Sequence, residues 1–133
     1  MAEEKRFGRI GQMKVGSYVL VDGFPCRIVD FEKSKPGKHG AAKARITAMG
    51  LFDDQKRTLL KPTSDDGEIP IVERSNAQII AIMGESMQIM DLNTYEQITM
   101  PMPKDIEGLA NGDEVEFIRY GTSIRILRKK SGA

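Results

Sequence analysis

Short apolar stretches rich in β-branched and aromatic residues recur along the chain, and glycine, proline and aspartate turns separate them. Stretches of about four to eight such residues between turn signals are typical of β-strands. No stretch keeps the i, i+3, i+4, i+7 apolar spacing of an amphipathic helix for three turns. The pattern therefore predicts an all-β chain without long helices.

The first half contains four predicted strands and a short closing stretch. Residues 15–21 and 26–31 flank Asp22-Gly23, a dipeptide that favours a tight hairpin turn. Two further strands are predicted at 44–52 and 56–60. After a turn cluster at 62–67, the apolar residues 69–72 are expected to close a first small barrel, while the polar residues 1–12 are expected to form an extended lead-in.

The second half repeats this composition. Strands are predicted at 77–83, 87–91 and 97–100, followed by an irregular segment or single helical turn at 101–110 and a last hairpin of 114–120 and 123–127 around Gly121. About ten short strands at this spacing fit two small barrels better than one sandwich. The predicted domains are residues 1–73 and 74–133.

The composition indicates the cellular compartment more clearly than the function. The chain of 133 residues has one cysteine, Cys26, so no intramolecular disulfide can form, and its apolar neighbours predict a packed thiol. No apolar run approaches the ~20 residues of a membrane span, and the charged residues 1–6 do not resemble a signal peptide. A cytoplasmic protein with no membrane association is expected.

Motifs of catalysis are absent from the sequence. It contains no nucleotide-binding glycine motif, no nucleophile elbow and no metalloprotease motif. One histidine and one cysteine also exclude most catalytic triads and zinc sites. The paired acids Asp53-Asp54 and Asp65-Asp66 lie in predicted turns, where aspartate is favoured for its bonds to backbone. We therefore expect no enzyme activity.

One window has an unusual charge pattern. Residues 33–45 include no acid and carry His39 and five cations: Lys33, Lys35, Lys38, Lys43 and Arg45. Gly37 and Gly40 keep the surroundings of Lys38 free of side chains, and Pro36 stiffens the approach. Lys38 is thereby presented on a positive loop tip, which suits the phosphates of RNA or another polyanion.

Two other interpretations of this loop stay open from composition. Many lysine-rich loops are only solvated surface. A lysine that forms imines is the second alternative, but it needs an amine whose pKa is lowered by burial, and a protruding loop offers no apolar pocket. The residues alone thus indicate a basic presenting loop on a β-barrel.

The run Ser34-Lys-Pro-Gly-Lys-His-Gly-Ala-Ala-Lys-Ala-Arg45 resembles the modification loop of the translation initiation factor 5A family, the archaeal and eukaryotic counterpart of bacterial elongation factor P. Residues 16–19, 25–29 and 77–80 are also similar to that family, so the resemblance extends over essentially the whole chain. It implies an N-terminal SH3-like barrel that carries the loop (33–43) and a C-terminal OB-fold that binds RNA.

The resemblance also implies a role for the lysine. Lys38 would be converted to hypusine or deoxyhypusine by deoxyhypusine synthase, which takes an aminobutyl group from spermidine and uses NAD, so the factor itself needs no cofactor. Lys35, Gly37, His39, Gly40 and Lys43 match positions that the family uses for recognition and for contact with tRNA or rRNA. Pro36 and Ala41 depart from the eukaryotic loop, which leaves the final hydroxylation open.

The partners implied by the resemblance are the ribosome with its rRNA, peptidyl-tRNA and deoxyhypusine synthase. A monomeric factor would bind near the P-site tRNA and promote peptide bond formation, notably at proline-rich stalls. In the second domain, the aromatic residues Tyr95, Phe117 and Tyr120 are candidates for stacking or core packing, and the basic run 125–130 for rRNA contact or a solvated tail. An unmodified RNA-binding or chaperone-like module is the alternative function.

Overall fold

The computed structural model describes residues 3–35 and 42–131, and strands dominate both ranges. Its strands there are β1 (Lys5–Arg9), β2 (Tyr18–Val21), β3 (Phe24–Ser34), β4 (Lys43–Gly50), β5 (Lys56–Pro62), β6 (Asp66–Pro70), β7 (Glu73–Met83), β8 (Ser86–Asp91), β9 (Gln97–Pro101), β10 (Glu114–Tyr120) and β11 (Ser123–Ser131). A 3₁₀ turn spans Ile10–Gln12. No α-helix occurs in the described ranges, so the prediction of an all-β chain is confirmed.

The chain divides into two compact β units. The first ends at Ile71 and the second begins at Val72, whereas the sequence placed the boundary between residues 73 and 74. Each unit has a separate cluster of buried apolar side chains. Within the described ranges, no helix has the length and apolarity needed to cross a membrane.

The N-terminal unit contains a four-stranded antiparallel sheet in the order β2-β3-β4-β5 and a two-stranded sheet of β1 and β6. Its core combines side chains from the sheet with residues that follow β1: Ile10, Met13, Val19, Val21, Cys26, Ile28, Ala44, Ile46 and Ala48. Cys26 is fully buried, which confirms the predicted packed thiol. The core therefore lies beneath the hairpin that leads to the basic loop.

The turn between β2 and β3 agrees with its sequence. Val21 pairs with Phe24, so Asp22 and Gly23 alone connect the strands. Both have positive φ, 53° and 82°. This is the geometry of a two-residue type I′ turn, which Asp-Gly favours because its twist matches that of the strands.

Strand β4 alternates strictly between a buried and an accessible face. Ala44, Ile46 and Ala48 are fully buried, while Lys43 and Arg45 are exposed on the opposite face. On β3 a bulge lies between Ile28 and Asp30, so the extra residue, Val29, is left exposed. The bulge returns Phe31 to the core side opposite Ile46 and thereby sets the register of the outer part of the hairpin.

The C-terminal unit is a five-stranded antiparallel sheet in the order β11-β10-β7-β8-β9. Its buried cluster consists of Ala77, Ile79, Met87, Ile89, Val115, Phe117 and Ile126. The irregular segment between β9 and β10 packs Met102, Ile106 and Leu109 against this cluster. The predicted meander of 77–100 corresponds to β7, β8 and β9.

Several predicted boundaries were wrong. Residues 5–9 form a strand rather than a lead-in, because β1 obtains its hydrogen bonds from β6 although its side chains are mostly exposed. The strand predicted at 15–21 begins only at Tyr18, since Gly16 (φ 94°) lies in a turn closed by the Ser17 N–H and the Lys14 carbonyl. The apolar stretch predicted at 69–72 corresponds to the end of β6, which begins earlier, at Asp66, and ends at Pro70. The strand predicted at 123–127 continues to Ser131.

Replacing Ile46 with alanine should lower the free energy of unfolding by about 2–5 kcal/mol, because it removes a fully buried side chain and leaves a cavity. Leu60→Ala is the matched control on the neighbouring strand. Its side chain is 63% exposed, so its loss should change stability by less than about 0.5 kcal/mol. Urea unfolding measures both, and equal losses would contradict the placement of the core.

Candidate functional site

Strands β3 and β4 form a hairpin and flank the basic loop in the chain. The last strand pairs are Phe31 with Ile46, Glu32 with Arg45, Lys33 with Ala44 and Ser34 with Lys43. Residues 35–42 connect the strands. Phe31 packs on the core and Ala44 belongs to it, while Lys33, Ser34 and Lys43 are exposed at the end of the hairpin.

Of the predicted site residues, Lys35 and Lys43 are described. Lys35 follows the end of β3, Lys43 is the first residue of β4, and both are exposed. Residues 36–41 lie outside the described part of the chain, so the predictions for Gly37, Lys38, His39 and Gly40 stay predictions. The hairpin brings Lys35 and Lys43 to the same end of the sheet.

We call the strand ends that flank the loop, residues 32–35 and 42–45, the loop base, and cations dominate it. Lys33 lies over the Phe31 ring, 5.8 Å from its centroid, on the side of the hairpin that faces the core further down. Arg45 lies on the other face, between Glu32 on β3 and Leu60 on β5. Among the described residues, Lys35, Lys43 and Arg45 form no ion pair. Their charge is therefore available to a polyanion.

A shallow groove lies beside this base on the N-terminal unit. It has a volume of ≈ 450 Å³, and its lining residues are Glu32, Lys33, Ser34, Arg45, Thr58 and Leu60. The Leu60 side chain is 63% exposed within it. The surface around the loop base thus combines cations with one apolar side chain.

A chain of backbone hydrogen bonds supports the C-terminal side of the loop. The Thr63 N–H donates to the Ala42 carbonyl at 2.9 Å, and the Gly11 N–H donates to the Thr63 carbonyl at 3.0 Å. Gly11 allows this approach because an added Cβ would lie 3.0 Å from Thr63 Cβ and 3.1 Å from its carbonyl oxygen. No sequence pattern indicates this support, because the bonded residues are more than 20 positions apart in the chain.

At the other end of the same sheet, one aspartate organises the β4–β5 turn. Asp53 accepts two hydrogen bonds from Arg57, at 2.8 and 3.1 Å, and one from the Gln55 N–H at 3.0 Å. The Arg57 guanidinium also lies 4.0 Å from the Phe24 ring centroid. Its hydrogen bonds, together with that from Gln55, hold the pKa of Asp53 below its usual value. Asp53 therefore belongs to a structural turn, as its sequence context predicted.

Comparison with known proteins places the N-terminal unit in a defined family. Residues 7–65 match the family model described as translation initiation factor 5A-like, N-terminal. The whole chain is 50% identical over 123 residues to translation initiation factor 5A of Methanocaldococcus jannaschii, covering 92% of this chain and 93% of that protein. The chain belongs to the translation initiation factor 5A family.

Further relatives extend this result over both units. Translation initiation factor 5A of Methanosphaera stadtmanae is 46% identical over 128 residues, 96% of this chain and 97% of the relative. The solved structure of the Methanococcus jannaschii factor superposes with a TM-score of 0.88 at 45% identity, over 98% of this chain and all of that one. A family member from Naegleria fowleri superposes at 0.77 with 30% identity, over 96% and 99% of the chains. The relatives are named translation initiation factors, so the family assignment supports a role in translation for this chain.

The basic run of this family member corrects one prediction. Residues 125–130 are not a tail, because they belong to β11, and their basic side chains pair with acids. The alternative of rRNA contact stays a prediction. Arg125 contacts Asp105 at 3.1 Å, Arg128 contacts Glu116 at 2.9 Å, Lys129 contacts Asp113 at 3.2 Å and Lys130 contacts Glu114 at 4.0 Å. Asp113 is almost fully buried, so β11 supplies the positive charge that its carboxylate requires.

The three aromatic residues of the C-terminal unit have different environments. Phe117 and Tyr120 are buried, which favours core packing over contact with RNA. Tyr95 is 70% exposed and has a positive φ of 63°. Only Tyr95 of the three is therefore presented to solvent. Sequence reasoning had also missed the burial of Asp91, Asp113 and Arg119, because no pattern separates them from residues of the same types on the surface.

Gly11→Ala should weaken the support of the loop base. The added methyl group would press on Thr63 Cβ and on its carbonyl oxygen, so the Thr63 N–H to Ala42 hydrogen bond should open more often. Faster amide hydrogen exchange at Thr63 is the expected result. In the control Gly8→Ala, the new Cβ would meet only the flexible end of Ile69, and exchange at Thr63 should match the wild type.

Asp53→Asn should lower stability at pH 7, and the deficit should disappear in acid. The folded-state pKa of Asp53 is lowered, so the carboxylate stabilises the fold above its unfolded pKa of about 3.9 and loses this effect as pH falls through the folded value. Unfolding curves of wild type and variant should therefore converge below about pH 4. Asp30→Asn, at an exposed position on β3, is the control and should keep the stability of the wild type at pH 7 to within about 0.5 kcal/mol.

Proposed function

We propose that this chain is a ribosome-binding translation factor that acts through Lys38 after its conversion to hypusine or deoxyhypusine. The observation that carries the proposal is the β3–β4 hairpin, whose register pairs Ser34 with Lys43, so that residues 35–42 connect the two strands at this end of the sheet. Membership of the translation initiation factor 5A family supports the same assignment.

The charges around the loop base favour an RNA partner. Lys35, Lys43 and Arg45 are exposed and form no ion pair among the described residues, so each is available to a phosphate. Flexible lysine side chains contact the phosphate backbone without reading base sequence. We assign Lys35, Gly37, His39, Gly40 and Lys43 to recognition by deoxyhypusine synthase and to contact with tRNA or rRNA.

The modification gives Lys38 greater reach. Deoxyhypusine synthase would transfer an aminobutyl group from spermidine to the lysine amine with the help of NAD, so these molecules belong to the synthase and the factor holds no cofactor. The longer side chain ends in a second amine. From a monomeric factor bound between the P and E sites in the cytoplasm, it would extend toward the peptidyl-transferase centre.

The mechanism follows from positioning. A side chain that braces the acceptor end of peptidyl-tRNA reduces the orientational freedom lost on reaching the transition state. The effect is largest where the nascent chain holds the acceptor end of peptidyl-tRNA in a poor geometry for reaction, as at consecutive prolines. The ribosome performs the chemistry, and the factor contributes the geometry.

Modification in vitro tests the proposal directly. Wild-type protein incubated with purified deoxyhypusine synthase, spermidine and NAD should gain the mass of one aminobutyl group, with the added group on Lys38 in peptide mass spectra. Lys38→Arg should gain nothing because arginine cannot replace the amine. Lys56→Arg, an exposed lysine of the same unit on β5, is the matched control and should be modified like the wild type.

The translation step has its own readout. Modified wild-type protein should increase synthesis of a polyproline peptide on archaeal ribosomes, whereas Lys38→Arg should leave it at the level without factor. Equal stimulation by both proteins would instead favour an RNA-binding module that needs no modification. A wild-type protein that keeps its encoded mass would refute the modification.

A further inference from the structure

Tyr95 occupies an unusual position in the C-terminal unit. Its side chain is 70% exposed, and its φ of 63° lies in the left-handed region that disfavours residues with a Cβ. The other two aromatic residues of this unit, Phe117 and Tyr120, are buried. Because the ring is in solvent and the backbone conformation is unfavourable, Tyr95 has no evident role in stabilising the fold.

A buried polar network holds this conformation in place. The carboxylate of Asp91, only 6% exposed as a residue, accepts hydrogen bonds from Asn93 N–H at 2.8 Å, Thr94 N–H at 3.3 Å and Ser75 Oγ at 3.2 Å. The Tyr95 N–H donates to the Asp91 carbonyl at 2.7 Å. Strained backbone that its surroundings over-determine in this way is characteristic of functional contacts.

The charges beside the turn are predominantly negative. Glu96 follows Tyr95 and accepts a hydrogen bond from Arg119 at 3.0 Å, while Glu73 lies 3.7 Å from Arg119 Nε. Both glutamates keep about half of their side chains exposed, 46% and 57%, but Arg119 is buried. Two acids thus flank one cation, which leaves a net negative charge at this position. This field opposes the approach of a phosphate.

The exposed carboxylate of Glu73 can accept a further hydrogen bond or ion pair. Arg119 Nε makes no hydrogen bond, because 3.7 Å is beyond hydrogen-bonding distance, so the Glu73 carboxylate is not fixed by it. A cation from outside can therefore bind that carboxylate. The exposed Tyr95 ring precedes Glu96 in the chain, and Arg119 links Glu96 to Glu73. An arginine or lysine side chain suits this set of groups, since an aromatic ring face and carboxylates both attract a cation.

We propose that Tyr95, Glu96 and Glu73 form a protein-binding surface that receives an arginine or lysine from a basic protein segment of the ribosome. The surface lies in the C-terminal unit and is separate from the basic loop. The proposal rests on the proposed ribosome binding. It adds a contact in which the factor provides the acidic and aromatic partner, opposite in charge to the loop base.

Ribosome binding by Tyr95 variants tests the contact. Tyr95→Gly removes the ring but suits the positive φ, so its thermal unfolding should stay close to that of the wild type. Its affinity for ribosomes of Methanocaldococcus jannaschii should fall about tenfold, the size expected for an aromatic anchor. Tyr95→Phe keeps the ring and should retain wild-type affinity, as should the control Met83→Ala, which removes another exposed side chain of this unit.

Two further measurements identify the chemistry of the partner. Glu73→Gln should weaken binding and reduce its salt dependence, because it removes one of the attracting carboxylates. Photo-crosslinking from p-benzoylphenylalanine at position 95 should attach a ribosomal protein at a segment containing arginine or lysine. Crosslinks to rRNA alone, or undiminished affinity of Tyr95→Gly, would overturn the inference, whereas failure of the wild type to bind ribosomes would reject the proposed function itself.

Discussion

The antiparallel pairing of β3 with β4 determines where the cations of the N-terminal unit lie. Side chains alternate between faces, so a shift of one residue would exchange the buried and exposed sets along the whole hairpin. The bulge after Ile28 and the burial of Ile46 opposite Phe31 prevent such a shift. Arg45 and Lys43 consequently remain in solvent while Ala44 is buried. The apolar core thus controls the position of the charges at the loop base.

The two units use their charges differently. At the loop base of the first unit, Lys35, Lys43 and Arg45 are left without acidic partners among the described residues. In the second unit, the basic residues of β11 are paired with acids, and Arg119 is buried between Glu73 and Glu96. A near-neutral net charge of +1 therefore conceals one surface suited to polyanions and one suited to cations.

The sequence predicted most strands because local signals and tertiary structure agree. Asp22-Gly23 requires a tight turn, and the alternation of Ala44 to Ala48 identifies an inner face. It did not predict β1, whose strand conformation depends on backbone pairing with β6 rather than on apolar side chains. The extension of β11 was missed for a related reason. Its charged residues suggested a tail, but backbone pairing with β10 makes them part of a sheet.

The candidate site was predictable to a similar extent. Composition identified the cationic window, and the motif around Lys38 identified the family. The support from Gly11 through Thr63 to Ala42 was not predictable, because it depends on a close approach of three segments that the sequence does not mark. The exposure of the Tyr95 ring could not be predicted from the composition either. Its conformation follows from the buried carboxylate of Asp91, whose burial is a property of the fold.

The pairing of β11 with acids has a consequence for engineering the chain. Lys129 on β11 pairs with the buried carboxylate of Asp113, which also accepts a hydrogen bond from the Ala110 N–H. Arg128, also on β11, pairs with Glu116 on β10. Shortening the protein before Arg128 would take the Lys129 ammonium away from a carboxylate that is almost fully buried. Purification tags are accordingly better attached beyond Ser131 through a flexible spacer than substituted for the last strand.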